Sequence, residues 1–283
     1  MDTDFTDGVR AASQLIANAD SLVITAGAGM GVDSGLPDFR GKDGFWKAYP
    51  ALGKAKIRFE EIANPHAFQE APELAWGFYG HRLNLYRKAV PHSGYHHLRA
   101  IAGQLGGGAF VYTSNVDGHF AKSGFSLDRI VECHGSIHHL QCLENCAGKI
   151  WEAGRFTPEV DDERCLLTSP FPRCPECGEI ARPNILMFGD CGWEELRTSL
   201  QEARFHEWRR TVSRPVVIEI GAGTAIPTVR LLGASMRVSL IRINPAEPEY
   251  GYQSDVYIRS GAAAGMAAIA GELEKLGFMK FEG

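Results

Sequence analysis

At 283 residues, with 45% hydrophobic side chains, the chain is long enough for one large α/β domain with an inserted module or for two domains, and apolar enough for a full core. A net charge of −5 argues against sequence-independent binding to nucleic acid or to an anionic membrane, and no apolar run approaches the roughly 20 residues needed to span a bilayer. The acidic start MDTDFTDGVR lacks the basic-then-apolar layout of a signal peptide, so a cytoplasmic location is expected, where seven unevenly spaced cysteines read as metal ligands and free thiols rather than a disulfide frame.

Residues 8–18 read as a short amphipathic helix leading into Leu22-Val23-Ile24, a short apolar run with the look of a buried parallel strand. The run breaks into Gly27-Ala28-Gly29-Met30-Gly31, a stretch nearly free of Cβ atoms that can turn tightly and approach a ligand closely. A helix start there would offer free N–H groups to a pyrophosphate. The dehydrogenase fingerprint is not met, because its third glycine position falls on Val32. Asp33 to Gly41 then forms a second, stiffened loop with Pro37 and the pair Phe39-Arg40. Phe45-Trp46-Lys47-Ala48-Tyr49-Pro50 is aromatic and irregular, and about 66–90 reads as helix, with Trp76, Phe78, Tyr79, Leu83 and Tyr86 as packing residues of a small helical module.

Further apolar runs follow at 110–113, 129–133, 216–220, 239–243 and 255–258, with helices expected at 193–212 and 262–276. The runs end in small or polar clusters rather than hairpin turns: Ser114-Asn115-Val116-Asp117 after the second, His134-Gly135-Ser136 after the third, Gly221-Ala222-Gly223-Thr224 after the fourth and Asn244 after the fifth. This is the layout of an open, Rossmann-like parallel sheet, whose ligands sit beyond the carboxyl ends of its strands. The expected division is a sheet domain at 1–140 and 182–283, with a helical insertion at about 42–95, and a different module at 141–181. In that module Cys174-x2-Cys177, followed by Gly178, pairs with Cys142-x3-Cys146 as the four thiolates of a tetrahedral zinc site. Four thiolates leave no open coordination position, so this zinc is expected to be structural. Cys165 is the substitute ligand to consider, and Cys133 and Cys191 read as small buried hydrophobes.

A histidine at a strand end is, taken alone, more often a hydrogen-bonded structural residue. Here His134 shares its rim of the sheet with Asn115, Asp117 and the first glycine loop, precedes the cysteine module, and is joined after it by Arg182-Pro183-Asn184-Ile185-Leu186-Met187-Phe188-Gly189-Asp190. In this order, from about 20 to 270, the motifs closely resemble those of the sirtuins, NAD-consuming protein deacylases and ADP-ribosyltransferases. The resemblance implies that Gly27, Ala28, Gly29, Asp38, Phe39 and Arg40 line a cofactor pocket, that Ser114, Asn115 and Asp117 hold nicotinamide and its ribose, and that Gly221, Gly223, Thr224, Asn244 and Glu247 hold the adenosine half. It makes His134 the general base and Asn115 the residue that orients ribose and water. It also places Met187, Phe188 and Gly189 along an extended substrate peptide, flanking a tunnel for an acylated lysine.

Several residues depart from the common deacylase pattern. Ser114 stands where a glutamine is usual, Gly31 where a serine is usual, and Gly221-Ala222-Gly223-Thr224 where Gly-Thr-Ser is usual. With the 45–50 segment they look like the macrodomain-linked class M, whose members are associated with protein ADP-ribosylation, yet transferase members of that class tend to lose the histidine kept here as His134. Tyr79 and Arg82, three residues apart on one helical face, resemble the Tyr-x-x-Arg pair of sirtuins that remove acidic acyl groups, and an ordinary surface Arg beside a packed Tyr explains them equally well. The leading expectation is an NAD-dependent protein lysine deacylase that releases nicotinamide and O-acyl-ADP-ribose, with an acylated or other acceptor protein as partner. Protein mono-ADP-ribosyl transfer, a zinc-ribbon interaction module and a dehydrogenase are the alternatives; the oligomeric state is open.

Overall fold

The computed structural model describes residues 3–37, 41–246 and 255–279. Its main sheet has six strands, all parallel, in the order β11-β10-β9-β1-β2-β3. These are β1 (Ser21–Ala26), β2 (Ala109–Thr113), β3 (Ile130–Glu132), β9 (Pro215–Ile220), β10 (Leu240–Ile243) and β11 (Val256–Ile258). Between β3 and β9 lie β4 (Gly135–Cys142), β5 (Ile150–Glu152), the hairpin β6 (Val160–Asp161) and β7 (Leu166–Leu167), and β8 (Ala181–Ile185). Strands β5, β4 and β8 form an antiparallel sheet beside the cysteines. The fold is therefore a Rossmann-like α/β sheet with a cysteine-bearing module set into it, as the sequence implies.

The period of two in β1 explains why the sheet is apolar throughout. Leu22 and Ile24 enter one core with Val111, Ile218 and Ile241, while Val23 enters the opposite core with Phe110 and Val217. Helices Thr3–Ala17, Ser93–Gln104 and Ala262–Lys275 cover the first face, and Leu196–Arg209 and Thr228–Ser235 cover the second. The sequence reading missed Ser93–Gln104 and Thr228–Ser235, whose apolar spacing is diluted by glycine, histidine and serine. Among the described residues no helix is long and apolar enough to cross a membrane.

The segment after β1 is a compact set of short helices around an aromatic core. The single helical region expected over 66–90 is two helices, Pro65–Glu70 and Pro72–Lys88. Pro72 lacks the N–H that would continue the ladder, and the residue before it, Ala71, leaves the helical region at φ −144° and ψ 65°. Helix Pro72–Lys88 packs so tightly on the β6–β7 hairpin that a Cβ at Gly77 would lie 2.0 Å from the Cys165 carbonyl oxygen, and one at Gly80 2.9 Å from Pro158. Asn84 and Arg87 fasten the same helix to the carbonyls of Pro158, Phe156 and Ala153.

Replacing Gly77 with alanine must therefore displace the hairpin, and denaturant unfolding should show a loss of about 1–3 kcal/mol. Gly271 lies inside helix Ala262–Lys275, where a Cβ would meet nothing within 4 Å. Gly271→Ala should stabilise by roughly 0.5–1 kcal/mol through helix propensity alone.

Candidate active site and metal centre

The strand ends of β1, β2, β3 and β9 open onto one cavity of about 730 Å³. Its floor is made by two glycine loops that pack backbone against backbone. Gly27 N–H donates to the Ile220 carbonyl at 3.0 Å and Gly29 N–H to the Gly221 carbonyl at 2.9 Å. Gly221 sits at φ +60°, and a Cβ there would lie 2.3 Å from Gly29 C. A Cβ on Gly27 would lie 2.8 Å from the Gly221 oxygen. The missing side chains thus serve first to let the two loops meet.

Past the first loop the chain forms a 3-10 helix, Ala28–Ser34. The free N–H groups expected there for a pyrophosphate are in part already used, since Gly29 donates to Gly221 and Met30 to the Gly27 carbonyl at 3.0 Å. Gly223, by contrast, has open space where its Cβ would be.

Gly27, Ala28, Gly29, Ser114, Asn115 and Asp117 all line the cavity, as do His134, Gly221, Gly223 and Thr224. Asn115 is buried and fixed at both ends: its N–H donates to Thr113 Oγ1 at 3.0 Å and its Nδ2 to the Gly27 carbonyl at 3.0 Å. The Asp117 carboxylate accepts from His119 N–H at 2.8 Å, and burial pushes its pKa up against the pull of that bond. His134 lies in the turn between β3 and β4, its Nε2 3.3 Å from Thr228 Oγ1. Burial lowers its pKa, which favours the neutral ring. Thr228 escaped the sequence reading because it lies 94 residues along the chain from His134, in a helix with no motif to mark it.

The opposite wall is apolar and aromatic, with Phe59, Ile185, Met187 and Phe188. Phe59 and Phe188 meet edge to face at 5.8 Å. Tyr79 and Arg82 also reach this cavity. Arg82 Nε and Nη2 donate to the Tyr86 hydroxyl at 2.9 and 2.8 Å, and its guanidinium lies 5.2–5.7 Å from the ring centroids of Phe78, Tyr79 and Tyr86. The N–H groups of Leu186, Met187 and Phe188 donate to His134 O, Asp190 Oδ2 and Ala63 O, so a peptide laid along this segment would meet its carbonyls.

Two expected residues are not in the cavity wall. Asn244 is fully buried behind the second loop, with Nδ2 on the Ala222 carbonyl at 3.0 Å and Oδ1 accepting from Ala246 N–H at 3.1 Å. Gly189 turns the chain at φ +65° just past Phe188. Asp38, Phe39, Arg40 and Glu247 lie outside the described residues.

The sulfurs of Cys142, Cys146, Cys174 and Cys177 lie within 4.8 Å of one another. The pairs Cys142–Cys177 and Cys146–Cys174 are 3.6 Å apart. Tetrahedral zinc with Zn–S bonds of about 2.3 Å has an S···S edge of roughly 3.8 Å, so the donor set fits that ion. At Cys174 partial burial opposes ionisation, but the N–H groups of Cys177 and Glu176 prevail and bring the thiol down to about 7. Cys165 is buried in the aromatic core and lies apart from this cluster. Cys133 is buried as expected, whereas Cys191 is exposed, on the turn that leaves β8.

A family model described as the Sir2 family matches residues 27–213. An NAD-dependent protein deacylase of Aeropyrum pernix is 32% identical over 259 residues, covering 90% of this chain and 94% of its own. One of Aquifex aeolicus is 30% identical over 252 residues, covering 88% and 93%. A crystal structure of a Sir2 homolog–NAD complex superposes with a TM-score of 0.72 at 25% identity, covering 94% of each chain.

Purified protein should carry about one zinc per chain by elemental analysis. Cys146→Ser or a strong chelator should remove it, lower the unfolding midpoint and expose 142–185 to protease, the more readily as the pH falls and the thiolates protonate.

Proposed function

This chain belongs to the Sir2 family, and on that premise we propose its working reaction: it is an NAD-dependent protein deacylase that removes an acyl group from a lysine side chain. NAD would supply an ADP-ribosyl group: the acyl oxygen would bond to the ribose as nicotinamide leaves, and one water would then release the lysine amine and leave the acyl group on the ribose. The observation that carries this reading is the convergence of Asn115, Asp117 and a half-buried, neutral-leaning His134 on one cavity with both glycine loops. Protein ADP-ribosyl transfer, raised by the class M resemblance, is not favoured: the relatives are named deacylases, and the histidine is kept.

Each role follows from the local chemistry. Asn115, anchored through Nδ2, leaves its carbonyl oxygen to orient a hydroxyl or a water. Asp117 can accept from the carboxamide of nicotinamide and hold it apart from the ribose. His134, neutral at physiological pH, takes up a proton at its unprotonated nitrogen, and Thr228 steadies the ring. The aromatic wall excludes water from the acyl chain. The cysteine cluster, with no position left open for a substrate, braces the insert that ends in β8 and leads into Met187 and Phe188.

Arg82 narrows the choice of acyl group. A guanidinium in the cavity wall, steadied by the Tyr86 hydroxyl and by aromatic rings, suits a carboxylate-tipped acyl chain such as succinyl or malonyl.

His134→Ala and Asn115→Ala should each cut nicotinamide release and deacylation by about 10²–10⁴-fold while zinc content holds, with the unfolding midpoint lowered in Asn115→Ala by loss of the bond to the Gly27 carbonyl; mass spectrometry of products from NAD and acyl-lysine peptides reads this, and activity surviving both changes sinks the assignment. Because burial lowers the folded pKa of His134, the ring stays neutral from alkaline pH down through about 6.5. The acid limb of kcat/KM should therefore lie below that value. The same group resists protonation when folded but not when unfolded, so its contribution to stability is present above about 6.5 and is lost as the pH falls from there toward the folded pKa. Arg82→Leu should raise KM for a succinyl-lysine peptide by roughly 10-fold or more and leave that for an acetyl-lysine peptide within twofold.

A further inference from the structure

Behind the second glycine loop, three donors converge on one backbone oxygen. The Ala222 carbonyl accepts from Arg230 Nη2 at 2.9 Å, Arg230 Nε at 3.2 Å and Asn244 Nδ2 at 3.0 Å. Arg230 and Asn244 have no exposed surface, so this carbonyl points into the protein. Arg230 is tied in turn to the sheet, its Nε 3.5 Å from Glu219 Oε1. Glu219 is gripped by Arg242 through Nε at 2.7 Å and Nη2 at 3.2 Å. The parallel register sets Arg242 directly opposite Glu219, so the clamp is built on the ladder between β9 and β10. An ionic cluster this deep is a poor way to gain stability, because well-packed apolar residues often serve as well or better. Its position points to a different use.

A trans peptide is planar, and its C=O and N–H point in opposite directions. No peptide among the described residues is cis. Turning the Ala222 carbonyl inward therefore turns the Gly223 N–H outward, and Gly223 lies in the cavity wall. Among the described residues that N–H donates to no other group, and a Cβ at 223 would meet nothing within 4 Å.

We propose that Arg230 is a positioning residue: by clamping the Ala222–Gly223 peptide in one orientation, it presents the Gly223 N–H to an anionic oxygen of the co-substrate's diphosphate. The inference rests on reading the cavity as the NAD site. Without the clamp this glycine-flanked peptide can flip, and a flipped peptide would turn its carbonyl oxygen, and hence repulsion, toward the diphosphate.

The test uses Arg230→Lys, which keeps the charge but loses the second donor, together with Asn244→Ala, which removes the third donor from the same carbonyl. Calorimetry with ADP-ribose and steady-state kinetics with NAD and an acyl peptide are the readouts. The expected result for Arg230→Lys is about tenfold weaker ADP-ribose binding and an equal rise in KM for NAD, with kcat at saturating NAD and KM for the peptide within twofold. Asn244→Ala should move the same way by less, and carries the test should Arg230→Lys not fold. Wild-type affinity for ADP-ribose in a folded variant overturns the positioning role, as does a loss spread evenly over kcat and both KM values. Failure of the wild-type protein to bind ADP-ribose overturns the reading of the cavity, and the proposal with it.

Discussion

The contact on which the site depends is the one between two backbones. Strands β1 and β9 are neighbours in register, Ala26 opposite Ile220, and the loops that leave them turn into each other with no side chain between. Gly29 N–H on the Gly221 carbonyl ties them, and the left-handed conformation at Gly221 makes the approach possible. A methyl group on either side would push the loops apart. The floor of the cavity would then open, and Asn115, which holds the Gly27 carbonyl, would lose its anchor.

Around that floor, the walls are set by elements that reach the cavity from distant parts of the chain. The β4–β8 sheet carries one wall: β4 pairs with β8 so that Gly135 lies opposite Ile185, and Leu186 N–H meets the His134 carbonyl. His134 and the apolar segment after β8 are thus fixed to each other by a ladder whose far end reaches Cys142, one of the four clustered cysteines, opposite Ala181. On the other side, helix Pro72–Lys88 is pressed against the β6–β7 hairpin from the same insert. The insert between β3 and β9 therefore braces both the turn that carries His134 and the helix that carries Tyr79 and Arg82, which gives the cysteine-bearing module a mechanical part in shaping the cavity.

The main sheet was legible because parallel strands buried on both faces are nearly continuous apolar runs, and each strand of the main sheet stands within two residues of its expected bounds. The four cysteines were legible for a similar reason, since two close pairs can satisfy one tetrahedral ion. The break at Ala71, the helix Ser93–Gln104 and the antiparallel pairing of β4 with β8 were harder to see. Proline effects in a helical stretch, a histidine-rich helix and a strand pair whose register shifts between Ser136 and Leu140 leave weak periodic signals. Gly27 and Gly221 were found as glycines, but their reason, a mutual approach of two loops, was hidden in either loop alone.

What the chain determines locally is the residue chemistry: apolar strands ending in glycine, asparagine, aspartate and histidine, and thiolates at metal-ligand spacing. These follow from side-chain size and donor type, which a linear string records. Which strand ends meet, whether Asn244 faces the cavity or the loop behind it, and that Thr228 stands beside His134 were decided only by the folded packing. Such facts depend on register, burial and the direction of single peptide planes, and those exist only once the sheet has closed its neighbours together.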